Sequence, residues 1–345
     1  MEKGGYMFSL LKGQRKIIMM LAGTILIVIA VIWTMVILPA MSKLPTDLES
    51  TIVMEGTYEV LNPEVGELVK MPVTVTRVNT AVDTESGDVL IIEEAVTVTN
   101  PLGDPYMAPD PATGELGDMF YVPKSTMAVN RSTFAMVPES TVADMPREGQ
   151  WTPQVGVGQD EYSIWVSALN MALPATFIGT EEIKGLEVSK FYVEAEGVSL
   201  GTDPAANNLP VVGGTKITTL VEPQSGVPVN VQSETTRSYV MPVMDPETGL
   251  PVLDADSNPI TAVTPFFRST LVYAESTVTE LVDEANGAAS QAFLFGTIFP
   301  WAIIGVGAGL ILTPALLGIS RRLFGSPVAQ PAEAQVTSTV GSDTD

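Results

Sequence analysis

The sequence predicts a membrane-anchored, mainly β protein, in which two terminal transmembrane helices flank one antiparallel β-rich extracytoplasmic domain. Three observations lead to this fold class. Two long uncharged apolar runs lie near the ends of the 345-residue chain. Between them, stretches that alternate apolar and polar residues recur, as in strands with one face toward water. A turn formula, acidic-Pro-x-x-Gly, separates several of those stretches.

The chain begins with a basic stub, residues 1–16, followed by an apolar run at residues 17–41 that contains no charged side chain. About 20 apolar residues cross a bilayer as a helix, whereas the apolar core of a signal peptide usually has about 7–15. Ala40-Met41-Ser42 resembles a small-x-small cleavage site. The length of the run nevertheless favours an anchor that stays over a signal peptide that is removed.

The second apolar run, residues 292–319, is also uncharged and long enough to span a bilayer. Gly305 and Gly309 have the GxxxG spacing that lets two helix backbones approach closely in lipid. We therefore predict that they pack against the first span near Gly23. Glycine is also common in membrane helices generally, which is the alternative explanation of this spacing.

Basic residues flank both apolar runs on the sides that face the chain ends. Lys3, Lys12, Arg15 and Lys16 precede the first run, and Arg321-Arg322 follows the second. The positive-inside rule then places both termini in the cytoplasm and residues 42–291 outside it, in a two-pass protein of the plasma membrane. The remaining segment, residues 320–345, is predicted to be a disordered cytoplasmic tail because its end is rich in Ala, Gln, Ser and Thr.

The region between the runs, residues 42–275, reads as one β-rich domain. Its predicted strands are rich in Val, Thr, Ile and Tyr and are bounded by turn residues. They lie at residues 51–61, 71–80, 88–99, 186–196, 215–223, 227–240 and 266–274. Two segments dense in Pro, Gly and Asp, residues 100–118 and 241–261, are predicted loops.

The turn formula recurs at Asp110–Gly114, Glu222–Gly226 and Asp245–Gly249, with a variant that lacks proline at Asp83–Gly87. The acidic residue caps the turn, proline fixes the next φ, and glycine takes the left-handed position before the chain returns. The formula predicts hairpin connections. Ligand-binding loops are the functional alternative.

A juxtamembrane helix is predicted at residues 276–291. Thr277 and Glu280 have the spacing of a capping box. Apolar residues then recur at helical spacing, at Val278, Leu281, Val282, Ala285 and Ala289. Such a helix would hold the β-rich domain at a fixed height above the bilayer.

Composition excludes several kinds of chemistry. The chain has no cysteine and no histidine, which excludes disulfides, thiolate or imidazole metal sites, cysteine nucleophiles and Ser-His-Asp catalysis. No nucleophile or nucleotide-binding motif is present in the predicted domain, so we assign no catalytic residue, no cofactor and no metal site. Asp254-x-Asp256-x-Asn258 imitates the start of a calcium loop, but Pro259 stands where such a loop needs glycine. We interpret it as an acidic turn.

The formal net charge is −23, which argues against nucleic acid as a partner. Adaptation to high salt, weak cation binding and colloidal stability are alternative reasons for so many acids. Asn130 begins an Asn-Arg-Ser sequon on the predicted outer side and is a glycosylation candidate.

Three stretches resemble a known family. These are "NRSTFA" (130–135), "PATFIGTEEIKGLEVSKF" (174–191) and "LVEPQSGVPV" (220–229), set between two terminal spans. Together they resemble a domain-of-unknown-function family of actinobacterial and archaeal membrane proteins, often labelled PorA-type porins. The resemblance implies a strand after residues 179–186 and a hairpin at residues 221–226, and it brings no catalytic residues. Transmembrane barrel strands need an apolar outward face, whereas these strands carry threonines and charges, so porin activity is a lesser alternative.

The function that we predict is that of a non-enzymatic envelope protein, which meets the lipid bilayer and presents an acidic domain to envelope proteins, surface polymers or lipids. The alternative is a carrier of lipid or another hydrophobic ligand, with the outline of class B scavenger receptors. Its tunnel would be lined by Phe177, Phe191, Tyr192, Phe266 and Phe267. A glycosidase, which needs two carboxylates about 5–10 Å apart, is a lesser alternative.

Overall fold

The structure is a computed structural model, and it describes residues 4–62, 65–104, 107–109, 116–118 and 124–324. The part of the predicted tail beyond Phe324 and the predicted turn at Asp110–Gly114 lie outside the described residues. The chain divides into two compact units. One comprises Met1–Met35 and Ile298–Asp345, and the other comprises Val36–Thr297.

Apolar helices occupy both ends of the chain, as predicted. In chain order the helical elements are α1 (Gly4–Ile32), a π-helical segment (Trp33–Ile37), α2 (Leu38–Met41), α3 (Glu275–Phe293), a second π-helical segment (Leu294–Ile298) and α4 (Phe299–Phe324). Two stretches, Gln14–Met41 and Glu275–Pro314, are long and apolar enough to cross a membrane. The second stretch is longer than the predicted span because α3 continues into it.

The first unit is a pair of helices that approach closely at two glycines. A Cβ on Gly23 would lie 2.5 Å from the carbonyl oxygen of Gly307, and one on Gly307 would lie 2.8 Å from that of Gly23. Among the described residues, nothing lies within 4 Å of the same position on Gly305 or Gly309. The contact near Gly23 is therefore present, but Gly305 and Gly309 do not make it. Residues two apart on an α-helix point to nearly opposite sides, so Gly307 faces away from the predicted glycines.

Among the described residues, ten antiparallel strands form the main sheet of the second unit and two form a separate ladder. The strands are β1 (Glu49–Asn62), β2 (Glu67–Glu85), β3 (Val89–Thr99), β4 (Met107–Pro109), β5 (Leu116–Asp118), β6 (Ser125–Asn130), β7 (Tyr162–Val166), β8 (Met171–Ile183), β9 (Leu186–Asp203), β10 (Leu209–Val221), β11 (Pro228–Pro242) and β12 (Thr261–Tyr273). The order in the main sheet is β6-β3-β2-β1-β12-β11-β10-β9-β8-β7.

The first and last strands are neighbours in the middle of this sheet. Met54 of β1 pairs with Tyr273 of β12, and β1 pairs with β2 on its other side. We call the end of the sheet at which β1 begins and β12 ends the basal end. The chain from α2 reaches the sheet at the basal end, and α3 leaves it there.

The sheet curls into a half-barrel whose two edge strands bond to the same intervening segments. Val129 of β6 bridges to Met136, Ala135 bridges to Gln150, and Gln150 bridges to Ile164 of β7. These bridges cover part of both edges, where unpaired backbone groups would otherwise favour pairing with other chains.

All seven predicted strands are present, but β4 to β8 were not recognised from the sequence, and the short ladder of β4 and β5 lies in the segment 100–118 that was predicted to be a loop. β6 and β7 have six and five residues, too few to show a clear alternation. In β8 the alternation is broken by Pro174 and by an irregularity at Phe177/Gly179. The two-residue period is lost wherever a bulge inserts an extra residue.

The apolar core lies on the inner face of the half-barrel. Leu90, Ile92, Val73 and Phe191 are at most 2% exposed. The outer face of the same sheet carries exposed ion pairs, such as Lys216 with Glu194 and Arg268 with Glu59. This arrangement confirms the predicted antiparallel sheet with one face toward water.

The described copies of the turn formula are turns. Asp83–Gly87 joins β2 to β3, and Gly87 has φ +77°. In Asp245–Gly249 the carboxylate accepts hydrogen bonds from the backbone N–H groups of Thr248 and Glu247, both at 2.9 Å. These bonds lower the pKa of Asp245. The same geometry explains the acidic Asp254 stretch, in which Asp254 accepts from two following backbone N–H groups.

Candidate functional site

A cavity of about 910 Å³ opens at the basal end of the second unit. Roughly 300–1,000 Å³ is typical of sites that bind small molecules, so the cavity is large enough for such a ligand. Most of its wall is apolar. The apolar lining residues are Leu38, Pro39, Met41, Leu44, Leu48, Ile52, Phe134, Trp151, Pro153, Val155, Val227, Pro228, Leu281, Ala288, Ala292 and Phe295.

A polar group stands at the sheet side of this cavity, on neighbouring strands. Ser50 of β1 pairs in register with Asn79 of β2, and Ile52 pairs with Arg77. All four side chains line the cavity. Asn79 Nδ2 donates a hydrogen bond to Ser50 Oγ at 3.3 Å. Asn79 Oδ1 is buried and accepts no hydrogen bond within the described part of the chain.

Arg77 forms one ion pair, with Glu94 of β3. Its Nε lies 3.2 Å from Glu94 Oε2, but the two groups are not aligned for a hydrogen bond. The side chain of Arg77 is 40% exposed, compared with 13% for Glu94. Burial raises the pKa values of Tyr273 and Tyr58, and the charge of Arg77 opposes that rise. Arg77 therefore adds a positive potential to an otherwise buried inner face.

The other charged lining residues are acidic. Glu49, Glu280 and Glu284 are exposed at the rim. Among the described residues that line the cavity, Arg77 is the one cation. The site thus combines an apolar wall, one guanidinium on the inner face and carboxylates at the rim.

The wall between α2 and β1 is fixed by bonds to the β6 side of the sheet. The backbone N–H of Leu44 donates to the carbonyl of Arg131 at 2.9 Å, and Arg131 Nε donates to the carbonyl of Leu44 at 2.7 Å. Lys43 pairs with Asp88 at 2.6 Å. That hydrogen bond lowers the pKa of Asp88. The segment that follows α2 is therefore attached to the body on both sides of Leu44.

The turn at Glu222–Gly226 forms another part of the wall. Glu222 is buried, and its carboxylate accepts from the N–H groups of Gln224 at 3.0 Å and Ser225 at 2.6 Å. Gly226 has φ +75°, and a Cβ there would lie 2.5 Å from the carbonyl oxygen of Gln154. Only glycine fits this position without displacing a neighbour. The turn predicted from sequence thus shapes the cavity.

Helix α3 closes the cavity, but it begins differently from the prediction. Its N-cap is Ala274, which makes no side-chain cap, and Thr277 lies inside the first turn. The Thr277 hydroxyl accepts from the backbone N–H of Val53 at 3.1 Å and donates to the Val53 carbonyl at 3.2 Å. The predicted capping box is wrong because this hydroxyl bonds to β1 instead of to its own helix.

None of the five aromatic residues predicted to line a tunnel lines this cavity. Phe191 is fully buried, with its ring 5.9 Å from that of Phe177 and 5.0 Å from that of Tyr162. These rings belong to one packed cluster. Tyr192 follows on the opposite face of β9, where desolvation and a hydrogen bond to Glu194 raise its pKa.

The other two predicted residues lie on β12, apart from that cluster. Phe266 stacks on Tyr239 with ring centroids 4.1 Å apart, and Phe267 meets Tyr58 edge-on at 5.2 Å. The Tyr239 hydroxyl donates to Asp203 at 2.7 Å. Desolvation and this bond raise the pKa of Tyr239 to about 12. A role of the five residues in ligand binding stays a prediction.

Asn130, the glycosylation candidate, ends β6. Its side-chain oxygen accepts from the backbone N–H groups of Ser132 at 2.9 Å and Thr133 at 3.0 Å. The amide therefore organises the turn after β6, and its glycosylation stays a prediction. Within the described ranges, no group of three or more acidic side chains is placed to hold a metal ion.

Sequence reasoning missed Arg77 and Asn79, although a signal was present. In the predicted strand at residues 71–80, Val73, Val75, Arg77 and Asn79 alternate onto one face. Val73 and Val75 show that this face is the buried one. Two polar residues that continue an apolar face of a strand are candidates for a site, because burying them without partners is costly.

A family model described as Porin PorA matches residues 17–316. The match covers both candidate spans in large part and the whole sheet. No curated protein matches the chain.

Proposed function

This chain belongs to the Porin PorA family, and from that premise we propose that it is a non-enzymatic envelope protein that binds a hydrophobic ligand taken from the membrane. In this proposal, two helices anchor it in the plasma membrane, both termini lie in the cytoplasm and the β body lies outside. The single observation that carries the proposal is the apolar cavity at the basal end.

The position of the cavity favours a ligand from the bilayer. Leu38, Pro39 and Met41 line it and belong to the first candidate span, and Ala292 and Phe295 line it and belong to the second. A lipid chain would therefore enter from the level at which the spans leave the membrane, without crossing water. Apolar surface of this kind is stabilised when an apolar group covers it.

A transmembrane pore through the sheet is a weaker alternative. A membrane barrel presents an apolar band to lipid, whereas the outer face of this sheet carries exposed ion pairs. Its inner face holds packed side chains, including Phe191, Val73 and Val98. We therefore place ligand binding in the basal cavity, and anchoring in the two apolar helices.

A second role is presentation of the acidic body to partner proteins or surface polymers. The formal net charge of −23 favours partners with exposed cations. This role is compatible with ligand binding, since the charged outer face and the basal cavity occupy different parts of the body.

Native mass spectrometry of the full chain, purified from membranes in a mild uncharged detergent, tests ligand binding. We expect a bound lipid that resists removal by detergent. Ala288→Trp should displace it because Ala288 lines the cavity, while Ala289→Trp, one residue further on the same helix, is the matched control. A chain that carries no lipid, or equal lipid in both variants, would contradict the proposal.

The orientation is tested separately with single cysteines, since the chain has none of its own. Thr84→Cys, at an exposed position near the end of β2, should react with a membrane-impermeant maleimide on intact cells. Ser9→Cys and Ser342→Cys should react only after lysis. Labelling of either terminal cysteine on intact cells would refute the two-pass orientation.

A further inference from the structure

The guanidinium of Arg77 has hydrogen-bond donors that the described part of the protein leaves unpaired. Arginine carries five N–H donors in a planar fork. Within the described residues, its one charged contact is the poorly aligned approach of Nε to Glu94, and no hydrogen bond involves its terminal nitrogens. The side chain nonetheless remains partly exposed, at 40%. Arg77 lines the cavity, so the donors that the described residues leave unpaired are available to a ligand bound there.

The residues beside Arg77 also have unused polar capacity. Asn79 is 2% exposed, and its buried Oδ1 has no partner in the described part of the chain. An unpartnered buried polar atom is costly, by about 1–3 kcal/mol. Ser50 receives the one side-chain hydrogen bond of Asn79, at 3.3 Å. Asn79 Oδ1 is an acceptor and offers nothing to an anion, so the donors that can meet an anionic head at this end of the cavity are those of Arg77 and the hydroxyl of Ser50.

The negative charge around the cavity affects which anions can enter it. Glu49, Glu280 and Glu284 stand at the rim, and the formal net charge of the chain is −23. This field repels small anions in solution. An anion attached to a hydrocarbon tail enters differently, because burial of the tail in the apolar wall opposes the repulsion.

We propose that the basal cavity selects an amphiphile with an anionic head, a carboxylate or a phosphate, that is held by the guanidinium of Arg77. The tail then lies along the apolar wall toward Leu38, Ala292 and Phe295. Arginine binds carboxylate and phosphate oxygens through two parallel hydrogen bonds, which a neutral hydroxyl head cannot reproduce. This inference rests on the proposed ligand-binding function and specifies its ligand.

Trp151 provides the measurement, because it lines the same cavity. Bromine atoms quench tryptophan fluorescence at short range. The full chain in uncharged detergent is titrated with dibrominated stearic acid and, in parallel, with the matching dibrominated stearyl alcohol. The quenching that disappears in Trp151→Phe is the cavity signal, which separates it from quenching of the other tryptophans. We expect the acid to bind about tenfold or more tightly than the alcohol.

Variants assign the preference to Arg77. Arg77→Gln should bring acid and alcohol to similar affinities, whereas Arg268→Gln, at an exposed arginine of the outer face, should change nothing. Because Arg77→Gln leaves Glu94 unpaired, the double variant Arg77→Gln/Glu94→Gln is measured as well, with circular dichroism as the check of folding. Arg77→Lys, which keeps the charge but loses the fork, should retain part of the preference.

The outcomes separate the two proposals. If neither probe gives a Trp151 signal, the ligand-binding function itself fails. If acid and alcohol bind equally to the parent chain, or if the preference survives in the double variant, the cavity binds amphiphiles but the anionic selection is refuted. If inorganic phosphate at constant ionic strength displaces the acid, the recognised group is a free anion and the amphiphile proposal is overturned.

Discussion

Replacing Thr277 by valine tests how α3 is attached to the sheet. The side chain is 4% exposed, and valine keeps its shape while removing the hydroxyl. The Val53 carbonyl would still accept from the backbone N–H of Ala274 at 2.9 Å. The Val53 N–H, which now donates to Thr277 at 3.1 Å, would lose its partner. An unsatisfied buried donor costs about 1–3 kcal/mol.

This loss of unfolding free energy is large enough to lower the melting temperature measurably. For a body of this size, about 1 kcal/mol corresponds to roughly 2–4 °C, so Thr277→Val should melt about 2–12 °C lower. The assay is thermal unfolding of the full chain in detergent, followed by circular dichroism of the sheet. Thr279→Val is the matched control, because Thr279 is exposed and bonds within its own helix to the Glu275 carbonyl at 2.8 Å. Exposed substitutions usually stay within about 0.5 kcal/mol.

Equal melting temperatures for the two valine variants would refute the reasoning. They would show that the Val53 N–H finds another acceptor, or that α3 is held by its apolar contacts alone. A larger loss at Thr279 would refute it as well, because the contact of Thr279 with Lys184 would then matter more than the bond to the sheet.

Three further outcomes are expected from the structure. Gly307→Leu should lower the melting temperature of the helix pair, because its Cβ would lie 2.8 Å from a carbonyl oxygen of the facing helix, whereas Gly309→Leu should not; equal effects would contradict the contact. Gly226→Ala should cost at least about 1–2 kcal/mol in urea unfolding, because a left-handed φ disfavours side chains, and an unchanged midpoint would show that the turn relaxes. Burial raises the pKa of Asp144, but hydrogen bonds from Arg147 and the backbone outweigh it, so the pKa is lowered. A pKa that is lower in the folded state stabilises the protein at pH values above the unfolded pKa, here 3.8, and this stability is lost as the pH falls through the folded pKa. The difference in unfolding free energy between the parent and Asp144→Asn should therefore narrow below pH 3.8 when both are unfolded in urea. A difference that stays constant with pH would contradict this prediction.

Local patterns were sufficient to predict the antiparallel β-rich body and the apolar helices at both ends of the chain. The length of the two apolar runs and the alternation of the seven strand-like stretches depend only on residues that are close in sequence. The structure contains all of these elements. The turn formula behaves in the same way, because the acidic oxygen and the glycine φ act within five residues, as at Asp245–Gly249. Strands β6, β7 and β8 are too short or too interrupted to show their period.

The cavity could not be predicted in this way, because its wall is assembled from segments far apart in the chain. Ser50 and Asn79 meet only through the register of β1 and β2. Trp151 enters the wall through a loop, and its backbone N–H donates to the Phe134 carbonyl at 2.9 Å. The aromatic residues predicted to line a tunnel lie on β8, β9 and β12. There Phe191 and its neighbours form packed core, since large rings are stabilised by burial against one another.

Helix α3 shows why one periodic pattern concealed a second. Val278, Val282 and Ala285 are buried against β9, β10 and β11. They belong to the stripe predicted from helical spacing, which also included Leu281 and Ala289. Thr277, Leu281, Glu284 and Ala288 form the adjacent stripe and line the cavity. On a helical projection this mixed stripe resembles the edge of an amphipathic helix, because its residues are neither consistently apolar nor consistently charged. A stripe of this mixed composition fits the proposed amphiphile, which would cover it in place of the protein's own core. The same helix is therefore fixed to the body by one face, bonded to β1 through Thr277, and left open along the face that the proposed ligand would cover.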